Sequence, residues 1–110
     1  SAVIHLETQE AALAFKNSGE LSIVVVYAPW CPFCQAMEAE YEELAKRLKS
    51  QGIPAAKFRG DVDRPFVKAE FNIKAFPTIN VVTPDKQLLK YESEVRTADD
   101  MLAFLDAARP

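Results

Sequence analysis

The two cysteines of this 110-residue sequence, Cys31 and Cys34, are separated only by Pro32 and Phe33. A C-x-x-C pair can bind a metal, form a structural disulfide or carry out thiol–disulfide exchange. A tetrahedral zinc site takes four cysteine or histidine ligands, and the sequence adds only the distant His5, so we expect no metal site. A disulfide across two residues closes almost no loop and stabilises a fold weakly, which favours redox chemistry.

The place of the pair in the sequence favours a reactive first cysteine. Cys31 follows the apolar run 21–27 and is expected to begin a helix, where unpaired N–H groups and the helix dipole stabilise a thiolate. We therefore expect Cys31 to be the nucleophile. Cys34, one helical turn further on, is expected to be more buried, to keep its proton and to resolve a mixed disulfide formed at Cys31. Two unreactive core cysteines are the structural alternative.

Composition predicts one globular domain over residues 1–110. The sequence is 49% hydrophobic and 26% charged, with a net charge of -3. It contains no Lys/Arg run or basic stripe that would follow phosphates, so nucleic acid is not an expected partner. The longest apolar run, 23–28, is far short of the roughly 20 residues that span a bilayer, and no signal peptide opens the sequence, so no membrane partner is expected.

Strand and helix patterns alternate along the sequence. We expect strands over 2–6, 21–27, 54–61, 79–82 and 87–92, and helices over 8–17 and 34–50, after Asp63 and after Thr97. The run 21–27 lacks polar alternation, which is typical of a strand buried on both faces. The order βαβαβαββα, with a hairpin formed by the last two strands, predicts an α/β fold with a central mixed five-stranded sheet and helices on both faces.

Two motifs make the sequence resemble the thioredoxin fold from end to end. The run YAPWC at 27–31 is similar to the segment that leads into the active site of protein disulfide isomerases. The run FPT at 76–78 resembles the loop that carries the cis-proline of that fold. The resemblance implies a cis peptide before Pro77 and a free Phe76 backbone that pairs with an extended substrate over Cys31. A strand-start proline is the alternative.

Pro32 and Phe33 resemble the central dipeptide of dithiol glutaredoxins, within flanks of the disulfide-isomerase type. That combination is similar to the C-terminal redox domain of plant-type 5'-adenylylsulfate reductases. The resemblance rests on WCPFCQAMEA at 30–39, the Gly52-Ile53 step before AKFR at 56–59, FPTI at 76–79, and KY at 90–91 followed by Ser93, Glu94 and Arg96. In that family the domain takes electrons from glutathione and passes them to a reductase domain that converts activated sulfate to sulfite.

The resemblance has consequences for cofactor, partner and location. It implies that glutathione is the electron donor, that the domain binds no cofactor, and that an iron-sulfur cluster occurs only in an upstream sulfonucleotide reductase domain of the same protein. Residues 1–110 would then be the C-terminal domain of a longer protein of sulfate assimilation. The resemblance also implies that the protein is located in the plastid stroma.

One position departs from the related families. Thioredoxins and disulfide isomerases place a buried carboxylate six residues before the first cysteine, where this sequence has Val25. Without that base Cys34 should be activated slowly, which matters less if glutathione resolves the mixed disulfide at Cys31. Lys57 matches a lysine that lies near that acid. It either favours a thiolate from beneath the site or reaches solvent from its strand.

Several further residues are candidates for substrate binding or modulation. Trp30, Pro32 and Phe33, with Phe76 and Pro77, are expected to contact the substrate, although Trp30 could equally pack on the fold.

Arg96 resembles an arginine of disulfide isomerases that swings toward the resolving cysteine and lowers its pKa, and a surface arginine is the alternative. Asp99 and Asp100 lie where glutaredoxins contact the γ-glutamyl end of glutathione. Their place in the first turn of a helix explains them without a ligand.

Two other functions remain compatible with the sequence. The flanks of the cysteine pair favour a disulfide isomerase or oxidase domain of the secretory pathway. A non-catalytic thioredoxin-fold module would instead use the surface around Trp30 and Phe76 to hold a partner.

Overall fold

The computed structural model describes residues 1–110 and contains five strands and five helices. The strands are β1 (Ile4–Leu6), β2 (Ser22–Tyr27), β3 (Ala55–Arg59), β4 (Thr78–Val82) and β5 (Leu88–Lys90). The helices are α1 (Gln9–Lys16), α2 (Pro32–Ala36), α3 (Glu38–Lys49), α4 (Arg64–Phe71) and α5 (Ala98–Ala107). None of these helices has both the length and the apolar character needed to cross a bilayer.

Strand β2 occupies the centre of one five-stranded mixed sheet with the order β1-β3-β2-β4-β5. It pairs parallel with β3 and antiparallel with β4, with Val25 opposite both Lys57 and Ile79. All residues of β2 from Ser22 to Val26 are buried, as the continuous apolar run predicted. The predicted fold class is therefore confirmed.

The helices cover both faces of the sheet. Side chains of α3 and α5, including Leu44 and Met101, share one core with Ile23 and Val25. Side chains of α1 and α4 pack with Val24 and Val26 on the opposite face in a second core. Successive residues of β2 therefore serve different cores, because side chains alternate across a strand.

Side-chain caps begin three of the helices where the sequence predicted them. The side chains of Thr8, Asp63 and Thr97 each accept a hydrogen bond from the backbone N–H three residues further on, at 3.0–3.1 Å. Each cap satisfies an N–H group that has no partner inside the helix. Helix α4 consequently starts at a fixed residue, Arg64.

The helix predicted over 34–50 is wrong in one respect, because two helices occupy that segment. At Met37 the backbone leaves the helical ladder, and its N–H donates to the carbonyl of Cys34, only three residues back, at 3.3 Å. Helix α3 then begins at Glu38 and packs Tyr41 into the core. The break separates α2, which contains Cys34, from α3, whose side chains pack in the core with β2.

The outer strands are shorter than predicted. The structure confines β1 to Ile4–Leu6 and β5 to Leu88–Lys90, where the sequence predicted strands over 2–6 and 87–92. Both are edge strands that pair on one side only. The sequence predicted longer strands because the flanking residues also have side chains that are compatible with a strand. In the structure the hydrogen bonds to the neighbouring strand end sooner.

Tyr41 links α3 to the central sheet through a buried hydroxyl. Its O–H donates to the Ala56 carbonyl at 2.6 Å, and burial raises the pKa of the Tyr41 phenol above its ordinary value. We predict that Tyr41→Phe lowers the free energy of unfolding by about 1 kcal/mol near neutral pH, because it removes a buried hydrogen bond.

The pH dependence of this loss has a definite sign. Since the folded pKa of Tyr41 is raised, its ionisation opposes folding once the pH exceeds about 10, the pKa in the unfolded chain. Wild type should therefore lose more stability between pH 8 and 11 than Tyr41→Phe does. Urea unfolding at both pH values measures this, and equal losses in the two proteins would contradict it.

Candidate active site

The cysteine pair lies where the chain leaves β2 and enters α2. Cys31 is the residue before the helix, and Pro32 occupies the first helical position, where its missing N–H costs nothing. The N–H of Cys34 points at the Cys31 sulfur over a distance of 3.4 Å. An N–H group directed at sulfur stabilises negative charge on it. Both cysteines are free thiols.

Cys34 is held in its protonated form. Its pKa is raised to about 12, first because burial disfavours the charged thiolate and second because the Cys31 side chain hydrogen bonds to it. The positive charge of Arg96 acts in the opposite direction and lowers the pKa of Cys34. A thiol with this pKa is a poor nucleophile near pH 7 until a base removes its proton.

The expectation that Cys34 is the more buried cysteine is wrong. The two residues are almost equally covered, with 4% of Cys31 and 5% of Cys34 exposed. Phe76 packs against the small cluster that contains both cysteines, and the Cys31 thiol donates to the Phe76 carbonyl at 3.5 Å. The loop opposite the site therefore covers the first sulfur as fully as α2 covers the second.

That loop contains a cis peptide bond between Phe76 and Pro77. The N–H of Phe76 makes no hydrogen bond within the protein, so the backbone beside Cys31 retains a donor for a bound chain. Gly60 lies beneath the Phe76 ring. A Cβ atom at Gly60 would lie 2.5 Å from Val26 Cγ1 and 2.9 Å from Phe76 Cε1, so the glycine allows this close approach.

Trp30 both packs on the fold and contributes to an exposed rim. Its indole N–H donates to Asp61 at 2.7 Å, and its ring meets Phe76 edge to face at 6.0 Å. Asp61 also accepts from Arg59 at 2.7 Å, and this guanidinium is the main cause that lowers the pKa of the Asp61 carboxyl. Sequence reasoning missed Arg59 and Asp61, because nothing in the sequence links them to a tryptophan about thirty residues earlier.

The apolar rim around the cysteines is exposed to solvent. Trp30 keeps 57% of its surface exposed and Phe33 keeps 66%, which is unusual for large apolar side chains. Pro32, between the cysteines, is exposed as well. The structure thus brings together the residues predicted to contact substrate: Trp30, Pro32, Phe33, Phe76 and Pro77.

A cavity of about 490 Å³ lies behind Cys34 and has Val25 in its wall. Lys57 and Tyr27 also line it, and the Lys57 ammonium lies 5.2 Å from the centre of the Tyr27 ring. Val25 is buried and aliphatic, so this position offers Cys34 no carboxylate, while the acids that line the same cavity, Glu38 and Glu42, come from α3. Lys57 is half-buried, and the structure brings it to the cavity without an ion-pair partner.

The two aspartates of α5 have structural partners. Asp99 forms an ion pair with Arg47 of α3, and Asp100 accepts a hydrogen bond from the Thr97 hydroxyl at 2.6 Å. Arg96, just before this helix, is half-buried and forms no ion pair. Of these three predicted modulators, only Arg96 is free of such a partner, and its charge lowers the pKa of Cys34.

Comparison with known proteins agrees with this geometry. The family model described as thioredoxin matches residues 2–107. The chain belongs to the thioredoxin family. The solution structure of the first thioredoxin domain of mouse protein disulfide-isomerase A4 superposes with a TM-score of 0.81 at 25% identity, over 99% of this chain and 77% of that one. The chain is thus a thioredoxin-fold redox domain with a C-x-x-C pair.

Three curated relatives are plant enzymes. The chain is 45% identical over 97% of its length to 5'-adenylylsulfate reductase 3, chloroplastic, of Arabidopsis thaliana, and 47% identical over 91% to 5'-adenylylsulfate reductase 1, chloroplastic. It spans only 24% and 22% of these relatives. Protein disulfide-isomerase of Zea mays is 33% identical over 84% of the chain and 18% of the relative. The resemblance to the plant reductases is thereby confirmed.

We predict that the Cys34 thiol remains hard to ionise without its neighbour. In Cys31→Ser, alkylation of Cys34 should still follow a pKa above the ordinary thiol value of about 8.5, because burial is the larger cause of the shift. Adding Arg96→Gln should raise that pKa further, since it removes an opposing positive charge. Initial alkylation rates from pH 7 to 10 measure both effects.

The matched control for this titration is Arg109→Gln, which removes a positive charge from the distal end of the chain. Its alkylation profile should coincide with that of the Cys31→Ser parent. A profile centred near pH 8.5 in the parent, or an equal shift from both arginine variants, would contradict the assignment.

Proposed function

We propose that this domain is a glutathione-dependent thiol–disulfide oxidoreductase that passes electrons to an adenylylsulfate reductase domain of the same longer protein. The observation that carries the proposal is Val25, which is buried beside Cys34 where a proton-accepting carboxylate would otherwise lie. The identity of 45–47% to plant adenylylsulfate reductases supports the same assignment.

Catalysis begins at Cys31. Its thiolate attacks a disulfide or sulfur adduct of the partner domain, a new bond forms between the Cys31 sulfur and one partner sulfur, and the other sulfur leaves as a thiolate. The Cys34 N–H and the adjacent helix start stabilise the charge of the attacking sulfur.

Release of the product can follow two routes. Either Cys34 attacks Cys31, which yields an internal disulfide and the second partner thiolate, or a glutathione thiolate attacks the mixed disulfide instead. On the first route, two glutathione molecules reduce the internal disulfide to the dithiol and are themselves oxidised to one glutathione disulfide. On the second route, glutathione bonds to the Cys31 sulfur and the second partner sulfur leaves as a thiolate. A second glutathione thiolate then attacks the glutathione sulfur of this adduct, which releases the Cys31 thiolate and forms one glutathione disulfide. The first route requires the proton of Cys34 to leave, whereas the second does not.

The environment of Cys34 favours the second route. Its pKa of about 12 keeps the thiol protonated, and the aliphatic side chain of Val25, which lines the same cavity, cannot accept the proton. Glutathione brings a thiol whose ionisation is independent of this site. Substrate chains would lie across Trp30, Phe33 and the Phe76–Pro77 loop, whose free N–H can pair with an extended backbone.

The remaining assignments follow the plant relatives. We propose that residues 1–110 form the C-terminal domain of a longer protein, that an iron-sulfur cluster belongs to its upstream domain, and that the whole protein produces sulfite in the plastid stroma. Lys57, Asp99 and Asp100 stay predicted modulators. The ion pair of Asp99 and the hydrogen bond that Asp100 accepts from the Thr97 hydroxyl account for both aspartates without glutathione.

A disulfide isomerase domain is the second candidate function. The 33% identity to the maize enzyme and the fold of the mouse domain favour it. Arg96 acts on Cys34 as an arginine of disulfide isomerases would, because its charge lowers the pKa of that thiol. A binding module without chemistry is the third, which the exposed rim at Trp30 and Phe33 would serve.

The three functions separate in one turnover assay. A small mixed disulfide is offered with glutathione and glutathione reductase, and NADPH oxidation is followed. We predict that Cys31→Ser abolishes turnover, because it removes the attacking sulfur, whereas Cys34→Ser retains a substantial fraction, because glutathione can resolve the mixed disulfide. Thioredoxin reductase should replace glutathione poorly.

Each other outcome assigns a different function. Complete loss of turnover in Cys34→Ser would show that the dithiol route is obligatory and would contradict glutathione resolution. Rapid refolding of a scrambled disulfide protein would support the isomerase, and absence of any turnover in wild type would support the binding module.

The reduction potential is predicted to lie nearer the glutaredoxin range of about -200 to -230 mV than the thioredoxin value of about -270 mV. The physical reason is the Pro32-Phe33 dipeptide, which together with the helix start sets how strongly the Cys31 thiolate is stabilised. Equilibration with glutathione buffers of defined ratio measures it. A potential below that of thioredoxin would contradict the prediction.

A further inference from the structure

A groove beside the cis-proline loop is lined by three cations and by no carboxylate. Helix α4 supplies Arg64 and Lys68, and Lys74 follows it, while Ile73 and Phe76 form part of the apolar wall. The volume of the groove is about 590 Å³. This local excess of positive charge contrasts with the net charge of -3 of the chain.

The three cations are not neutralised by the protein. The ion pairs of the structure use four other cations, Lys16, Arg47, Arg59 and Arg109. The two acids that precede α4 are already engaged. Asp61 accepts from Arg59 and Trp30, and Asp63 caps α4 and accepts from Gln9. The positive field of the groove is therefore available to a ligand.

Arg64 connects the groove with the cysteine pair. Its guanidinium carbon lies 5.3 Å from the centre of the Phe76 ring and 6.0 Å from that of Trp30. The carbonyl of Phe76 accepts from the Cys31 thiol. A chain bound over Cys31 consequently has an apolar surface and a guanidinium beside its reactive sulfur, with two lysines further along.

We propose that this cationic groove binds an acidic peptide segment next to the disulfide of a protein partner. Charge complementarity favours carboxylates, and the free N–H of Phe76 favours a polypeptide, since it can pair with an extended backbone. The inference rests on the proposed role of Cys31 as the attacking thiol. It adds the class of partner that this thiol meets: disulfides flanked by aspartate or glutamate.

The exchange step balances without any further reagent. The Cys31 thiolate bonds to one peptide sulfur and releases the other as a thiolate. Cys34 then gives up its proton to solvent, attacks Cys31 and releases the second peptide thiolate. The peptide disulfide gains two electrons, and the dithiol of the domain becomes a disulfide.

The test compares synthetic peptide dimers joined by a disulfide whose cysteine is flanked by glutamates, glutamines or lysines. Each half carries a self-quenching fluorophore, so reduction by the pre-reduced domain raises fluorescence, and no glutathione is present. The triple variant Arg64→Gln, Lys68→Gln, Lys74→Gln should reduce the glutamate dimer about tenfold more slowly at low salt. The glutamine dimer should react within about twofold of the wild-type rate.

Two further variants make the assay specific. The triple variant Lys46→Gln, Lys49→Gln, Lys90→Gln removes the same net charge from unpaired cations outside the groove, and it should leave the rate with the glutamate dimer nearly unchanged. The charge reversal Lys68→Glu, Lys74→Glu should shift the preference toward the lysine dimer, which a misfolded variant would not do. Added salt should weaken the wild-type preference.

Each adverse result has a distinct meaning. Equal slowing of all three dimers, or an equal effect of the control triple variant, would overturn the groove as a specific site. Slowing with glutathione disulfide but not with the glutamate dimer would assign it to a small thiol instead. Attack by Cys31 alone releases one half of a dimer and raises fluorescence, so failure of wild type to release either half of the glutamine dimer would remove the proposed role of Cys31 and the inference with it.

Discussion

The burial of Cys34 beside an aliphatic wall is the constraint on which the chemistry depends. Both sulfurs are almost fully covered, and they differ in function because the Cys31 sulfur receives an N–H hydrogen bond, whereas burial and the hydrogen bond with Cys31 keep the proton on Cys34. Desolvation is the main reason that Cys34 holds its proton. Val25 offers no acceptor for that proton, whereas Arg96 partly relieves the cost of ionising the thiol. The proposed resolution by glutathione rests on this environment.

The fold supplies this environment through the centre of its sheet. Strand β2 is buried on both faces and fixes the start of the loop that follows it. This short loop places Cys31 directly before the first residue of α2. After the break at Met37, α3 packs Tyr41 and Leu44 into the core beside this strand. On the other side of the site, the absence of a side chain at Gly60 allows the Phe76 ring to approach Val26 of β2. The two halves of the site thus rest on the same central strand.

Local patterns predicted most of the fold, since they depend on neighbours in sequence. The apolar run of β2, the caps at Thr8, Asp63 and Thr97, and the position of the cysteines before a helix all follow from such patterns. The break at Met37 did not, because no proline or glycine marks it. Side-chain pairs between distant segments were also inaccessible. The bond from Trp30 to Asp61 and the cover of Phe76 over Cys31 arise only from the packed loops.

The distribution of charge over the surface was also inaccessible to sequence reasoning. The net charge of -3 describes the chain as acidic, and the sequence shows no basic run. Arg64, Lys68 and Lys74 are spread along eleven residues, interrupted by apolar side chains and by Glu70. Glu70 turns instead toward Lys16 and forms an ion pair there. Folding therefore separates the two signs of charge and concentrates a positive field beside the loop that packs against Cys31, which net charge alone could not indicate.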